Sequence, residues 1–535
     1  LTSAGGGAAA AWEDAGGGSG TFTAIAIEDL AAGDPVALVS DSADSDIVKV
    51  EKIRGMTEFS NDPQNSYDAL SSKAYRKTIF HCSDIDKWAR VFTDPSNYYV
   101  WVQVGDYSTT TKQITWGEAV AVTDFSAYPS GGCWVGGSFD RIFIAAGRGS
   151  EDVKGYLYEV NTSTNKVVTA DGGGLYAPGT AYTITDGAYD RIVCHFATTG
   201  EAANKIIVAG SRDDSGNERK FEIHALTPTG GSTNTVTDFI AGAYLVSVQN
   251  AGTYPSFSWN DHGTGKGLLT FIDGADSNYF KAVSVIANDT PGFTASSYTE
   301  ILGADNTDQN ASTDVQMRSI TADTSNGNFV IWLRGATDGA AKAAVVTVAN
   351  DGTITSGSSS GATTVFANMS AHTGIAADFS NLGGITGYTV EKTSTTSNQG
   401  IVNRRGVGVY DPDTDCHVFL YWLESEKLGG WTEYSLYNPS GHSIRAICTV
   451  TLAGTGDRTI TADTPDWIKP VIRGVSIQPN GFAEANYGCD IAYDTTHDQT
   501  LFEEHCHEFY MNHQYTPMYD GNYLFQGTTT ANKYR

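Results

Sequence analysis

The sequence predicts an all-β protein: a β-propeller-like repeat domain of about seven blades, preceded by a small β module and a Gly/Ala-rich arm. Three observations predict it. First, a unit recurs about seven times: a short strand, a turn carrying Asp, Asn or Gly, and a strongly apolar second strand. Copies run from Val91 to Val104, Ser138 to Ala146, Cys194 to Ala209, Phe257 to Ile272, Ser319 to Leu333, Gly408 to Trp422 and Asp490 to Phe502. Second, charged residues make up only 18% while Gly numbers 59, a composition that suits strands joined by many turns. Third, helical periodicity is almost absent, whereas period-two alternation is common. Two stacked β-sandwiches are the runner-up, and regular repetition makes them the less economical choice.

The elements follow in order. Residues 1–20 are a flexible arm by composition, with a single anchor in Ala8-Ala-Ala-Ala-Trp12. Trp12 in such an arm is a candidate assembly contact, competing with a loosely packed ring. Residues 21–55 read as a small β module: Thr21-Phe-Thr-Ala-Ile-Ala-Ile alternates, Ala32-Gly-Asp-Pro35 turns, and Val36–Val39 and Ile47–Ile53 supply further strands. Residues 56–85 are a mixed polar connector with a short helix expected near Tyr67–Lys77. Residues 86–535 form the repeat domain. Its apolar second strands centre near Val100, Ile142, Ile207, Leu269, Val330, Phe419 and Leu501. Third strands follow, as in Gly155–Val160, Lys220–Leu226, Lys281–Ile286, Ala343–Val348 and Ile444–Val450. Asn350-Asp-Gly-Thr-Ile-Thr carries an Asp-Gly hairpin signal into a fourth strand. The stretch from Arg334 to Gly406 leaves room for a further partial blade around Ala377–Tyr388.

Charge narrows the functional classes. Lys and Arg number 33 against 61 Asp and Glu, a net −28, which repels phosphate backbones and argues against nucleic-acid binding. Seven Cys are scattered without a CxxC pair, which fits neither a disulfide framework nor a zinc ribbon; a reducing assembly compartment is expected. No apolar run reaches the about 20 residues that span a bilayer, so no membrane span is expected. The chain starts at Leu1 without a basic n-region, so a secretory signal is not expected, and whether Leu1 is the native start is open.

The Gly-rich arm ending at Trp12, the segment Ile27-Glu-Asp-Leu-Ala-Ala-Gly-Asp-Pro-Val-Ala-Leu-Val-Ser-Asp41 and Ile47-Val-Lys-Val together resemble virion proteins of tailed bacteriophages. The repeat region, with Tyr410-Asp411 and Tyr493-Asp494 before its turns, is similar to propeller-like segments of phage tail or fibre proteins. The resemblance rests on style over most of the chain and not on a diagnostic motif. It implies a structural or receptor-binding role on a particle assembled in the host cytoplasm. It also implies a symmetric homo-oligomer with other virion proteins as partners, and it transfers no catalytic residue.

Candidate sites are few. In Leu501-Phe-Glu-Glu-His-Cys-His507, strand alternation puts Glu503, His505 and His507 on one face, a reasonable transition-metal ligand set. His-x-His pairs of trimeric phage fibres resemble it; a polar outer strand with hydrogen-bonded His is the competing reading. Asp411-Pro-Asp413-Thr-Asp415 gathers carboxylates as an oxygen-ligand Ca2+ site requires, and so does Asp41-Ser-Ala-Asp44-Ser-Asp46. Asp also favours turns for local hydrogen-bonding reasons. Trp259, Trp332, Trp422 and Trp431 read mainly as core and secondarily as a sugar platform. No nucleophile elbow, zincin, Walker or dinucleotide motif occurs, so no enzyme is expected. The expected function is a tail fibre or appendage that contacts the host surface through glycan or protein. The alternatives are a secreted or surface lectin-like bacterial adhesin and a glycan-hydrolysing propeller.

Overall fold

The computed structural model describes residues 10–11, 23–26, 36–39, 49–52, 57–59, 75–93, 99–108, 113–123, 127, 130–147, 152–168, 181–185, 187, 189, 191–214, 218–229, 235–249, 256–273, 279–288, 292–302, 320–334, 341–356, 363–366, 401–425, 443–453, 459–462, 466–468, 490–505, 509–511, 514–516 and 520–526. The chain divides into two compact units, residues 1–57 with 525–535 and residues 58–524. In the first unit, Ala10–Ala11, Thr23–Ala26, Lys49–Lys52 and Val36–Val39 pair in that order into a small sheet. Thr23–Ala26 runs parallel to Lys49–Lys52, and the other pairings are antiparallel. Three of its strands come from the segment expected to form a small β module, and Ala10–Ala11 comes from the segment expected to be a flexible arm. Among the described residues no helix is long and apolar enough to cross a membrane.

The second unit is a ring of β-sheets. Among the described residues, seven sheets of four or five strands follow one another along the chain; neighbours are antiparallel in the first six, and so are the first two strands of the seventh. Their first strands are Tyr75–Cys82, Ser130–Val135, Arg191–Ala197, Ser256–Asn260, Ile320–Ala322, Ile401–Asp411 and Asp490–Asp494. Each first strand lies against the first strand of the next sheet, and the seventh lies against the first. That closed circuit is what makes the domain a propeller. The outermost strand of the seventh sheet is Thr57–Phe59, which lies beside Asp520–Gln526 and comes from ahead of the first sheet. A segment from ahead of the first sheet and the last strand of the ring are thereby joined within one sheet.

Sequence explains the blades simply. The second strands Lys87–Thr93 and Arg141–Gly147 each open on a partly exposed basic residue and are then buried without a break. A strand covered on both faces reads as a continuous apolar run, not as an alternation. In six of the seven first hairpins, the residue just before the second strand has positive φ: Asp86, Asp140, Asn204, Gly265, Asp415 and Asp498. Asn, Asp and Gly tolerate that left-handed geometry best, which is why the turns recur with these residue types. The core lies between blades. Ile142, Ile144 and Tyr156 pack with Val91 and Val102 of the preceding sheet, and Trp88, Trp116, Ala492 and Leu501 pack across the closing seam.

Three expectations need restating. The connector was expected to reach residue 85 with a helix near Tyr67–Lys77, but Tyr75–Cys82 is the innermost strand of the first blade. Residues 67–74 and the partial blade near 377–388 lie outside the described residues. The repeat copy from Val91 to Val104 spans the second and third strands of its blade, whereas the later copies centre on the second strand and the hairpin before it. The third strands and the Asn350–Gly352 turn stand as expected, with Gly352 at φ +84.

Candidate functional site

The first hairpins of all seven sheets project from the same end of their innermost strands, so their turn residues share one rim of the ring. Polar side chains there latch several blades to their neighbours. The carboxylate of Asp84 in the first hairpin accepts from Trp134 Nε1 of the second sheet at 2.8 Å. Asp261 of the fourth hairpin accepts from Thr198 N and Thr198 Oγ1 of the third, both at 3.0 Å, and from Trp259 Nε1 at 3.0 Å. The buried Asn260 donates through Nδ2 to the carbonyls of Asp323 and Asn326 in the fifth hairpin. Tyr410 of the sixth donates to Asp415 at 2.9 Å, and its hydroxyl lies 3.1 Å from Ser325 Oγ of the fifth. Burial, foremost, and the nearby Asp323 and Asp415 hold the Tyr410 phenol well above its usual range, so it acts as a donor.

The closing seam between the seventh and first blades is built differently. His81 stands at the end of the first blade's inner strand and Asp86 in its turn; Asp494 and His497 come from the seventh hairpin. His81 Nε2 lies 3.3 Å from Asp494 Oδ1 and 3.4 Å from Asp86 Oδ1. His497 Nδ1 lies 2.9 Å from Asp494 Oδ2 and 3.6 Å from Asp86 Oδ1. Asp494 is fully buried, and its Oδ1 also accepts the N–H groups of Thr496 and His497, closing the turn. The His81 side chain is 3% exposed, tilted against Trp88, and the His497 ring meets Tyr107 edge-on. Burial lowers the His81 pKa below its ordinary 6.5, against the opposing pull of Asp494 and Asp86. Among the described residues, His81, Asp86 and Asp494 are the group whose potential metal-ligand atoms converge, all within 4.8 Å of one another.

The residues singled out from sequence fall elsewhere. Asp411, Asp413 and Asp415 share a turn but do not converge. Asp411 Oδ1 accepts from the N–H groups of Asp413 and Thr414 and Oδ2 from Thr414 Oγ1, while Asp415 accepts from Tyr410. Burial raises the Asp411 pKa, against its hydrogen bonds from Thr414 and Asp413. This is turn chemistry of the Asx kind. The strand Gln499–His505 carries Glu503 opposite Asp490, but the side chains of Glu503 and His505, His507 altogether, Trp12 and the Asp41–Asp46 loop lie outside the described residues. Trp259 and Trp332 are core, both 2% exposed, and Trp332 stacks on Phe419 at 3.7 Å. Cys82 and Cys133 are buried free thiols whose pKa values burial pushes up, in keeping with small packing side chains.

The seam cluster escaped the sequence reading because its halves lie near opposite ends of the chain. The signal was there in one half: Tyr493-Asp494-Thr-Thr-His-Asp498 aligns with Tyr410-Asp411-Pro-Asp-Thr-Asp415 at Tyr, Asp and the final Asp, and His497 is the one imidazole among the three positions that differ.

No protein-family model and no curated protein sequence matches the chain. Solved structures similar to it include the BP39L lectin from Burkholderia pseudomallei, at 9% identity and a TM-score of 0.46 over 84% of this chain and 99% of that one. The fucose-specific lectin from Aleuria aurantia is similar at 8% identity and a TM-score of 0.34, over 72% of this chain and 94% of that one. The periplasmic gluconolactonase of Pseudomonas aeruginosa is similar at 8% identity and a TM-score of 0.35, over 68% and 85%. Likeness at this level assigns no ligand and no reaction to this chain.

Proposed function

We propose that this chain is a surface-recognition protein that binds glycan without cleaving it, a lectin-like adhesin whose propeller is the binding unit. In this reading the separate N-terminal unit attaches it to a larger assembly. The observation that carries the reading is the use made of the hairpin carboxylates. Asp84, Asp261, Asp411 and Asp494 are each engaged by turn N–H groups or by donors from the adjoining blade. They fix the rim as a rigid frame for loops. Glycoside hydrolysis needs instead a pair of carboxyl groups facing each other across a substrate. Binding through a fixed frame avoids the entropy cost of ordering loops on contact.

A second reading places the same two-unit molecule on a phage particle, as a tail fibre or appendage. The Gly/Ala-rich arm of residues 1–20 and the module of residues 21–55 favour it through their resemblance to virion proteins. A glycan array probed with the full chain, followed by product analysis of each bound sugar, tests the first reading: retained, intact glycan supports it, and released products overturn it in favour of hydrolysis. Electron microscopy of the native source separates the two locations, since a virion protein is present on particles at fixed copy number.

A further inference from the structure

We infer that the closing seam of the ring is a divalent transition-metal site of the zinc class, with His81 Nε2, Asp86 Oδ1 and Asp494 Oδ1 as its protein ligands. The site would staple the last blade to the first. Geometry is the first argument. A tetrahedral ion with bonds of about 2.0–2.1 Å holds its ligand atoms about 3.3–3.4 Å apart. The His81 nitrogen lies 3.3 Å from one carboxylate oxygen and 3.4 Å from the other, too long for good hydrogen bonds and matched to that edge.

Charge is the second argument. Two carboxylates converge on one imidazole, and like charges brought together call for a cation between them. The donor set of one nitrogen and two oxygens suits zinc better than calcium, which takes six to eight oxygens. The third argument is tautomeric. Metal binding needs the lone pair of His81 Nε2, so the ring proton must sit on Nδ1. That Nδ1 atom is buried without a hydrogen-bond partner, whereas Nε2 faces both carboxylates, so Nε2 is the ring nitrogen placed to ligate, and a metal bond would have to offset the unpartnered Nδ1–H. The second shell is in place as well: His497 Nδ1 reaches the other oxygen of Asp494 at 2.9 Å and holds that carboxylate in orientation.

The test uses the full chain, stripped with chelator and titrated with Zn2+ by calorimetry, with Mg2+ and Ca2+ as controls and thermal unfolding as a parallel readout. The expected result is one Zn2+ per chain lost at least tenfold in affinity in Asp86→Asn, and a rise in Tm on Zn2+ addition that this variant lacks. Asp86 is half-exposed, so its amide variant should fold even if His81→Gln does not. A His505→Gln/His507→Gln double variant should retain the site. Equal affinity in wild type and Asp86→Asn, or no Zn2+ binding above the controls, overturns the inference.

Discussion

Two seams of the ring carry the same contact and differ in everything around it. Between the third and fourth blades, His195 Nε2 lies 3.3 Å from Asp261; between the first and seventh, His81 Nε2 lies 3.3 Å from Asp494. Around Asp261 the remaining partners are neutral donors: a backbone N–H, a threonine hydroxyl and an indole N–H. One carboxylate is matched by enough donors and the latch is complete. At the closing seam Asp494 also accepts backbone N–H groups, from Thr496 and His497, but a second carboxylate, Asp86, and a second imidazole, His497, stand where Asp261 has a hydroxyl and an indole. The first arrangement is a hydrogen-bonded lock between blades already joined by chain. The second is a charged cluster where the two ends of the ring meet. The lesson is that blades of one fold reuse a backbone pattern while the chemistry at each seam is set by two or three side chains.

The comparison is most severely tested in the apolar layer. Trp88 under the closing seam and Trp259 beside Asp261 are both buried. Trp88→Ala and Trp259→Ala should each lower stability by about 3–5 kcal/mol in urea unfolding. A large inequality would mean that one seam relies less on packing than its burial indicates.

Polar deletion comes next. Asp494→Ala leaves the N–H groups of Thr496 and His497, the buried His81 imidazole and the part-buried His497 imidazole without this acceptor, at about 2–4 kcal/mol. Asp261→Ala should cost about 1–3 kcal/mol, since its partners are neutral or reach the surface. An Asp261 variant less stable than the Asp494 variant would reverse the ranking.

Acid should separate the seams without any substitution. The His81 pKa is lowered by burial from 6.5, so the unfolded chain binds the extra proton more readily than the folded one. That contribution is present above about pH 6.5 and is lost as pH falls through the folded value. For Asp261, burial raises the pKa, but His195 and the Thr198 donors outweigh it and bring it below 3.8. Its contribution is present above about pH 3.8 and is lost only at lower pH. Thermal melts at closely spaced pH, in wild type and His81→Gln, should therefore show a loss beginning near pH 6.5 that the variant lacks. The smallest effect belongs to Asp86→Asn in metal-free buffer, within about 0.5 kcal/mol, because the side chain is half-exposed.

Much of the fold was legible because its causes are local. An Asx or Gly residue before a strand buried on both faces marks a hairpin wherever it occurs, and Asp415, Asp498 and Asn204 all sit at such positions with positive φ. The burial of Trp259 and Trp332 followed from the apolar runs that contain them. The inner strand of the first blade opens on Tyr75-Arg-Lys-Thr, which continues the polar composition of the segment before it and so reads as connector. That slip of one strand leaves His81 inside the expected connector and Asp86 at the first position of the expected repeat domain, on opposite sides of a boundary that does not exist. The seam cluster also depends on ring closure, a long-range fact that no window of sequence contains. The carboxylates of Asp411, Asp413 and Asp415 were visible as a group, yet proximity in sequence does not make them converge: the turn directs Asp411 inward and Asp415 toward Tyr410.

The central claim is that the ring closes through direct coupling of the first and seventh blades at His81 and Asp494. A double-mutant cycle with His81→Ala, Asp494→Ala and both, read by equilibrium unfolding in metal-free buffer, measures that coupling. The account predicts an interaction energy of about 1–3 kcal/mol. Effects that add to within about 0.5 kcal/mol would show the two residues to be independent and would contradict it.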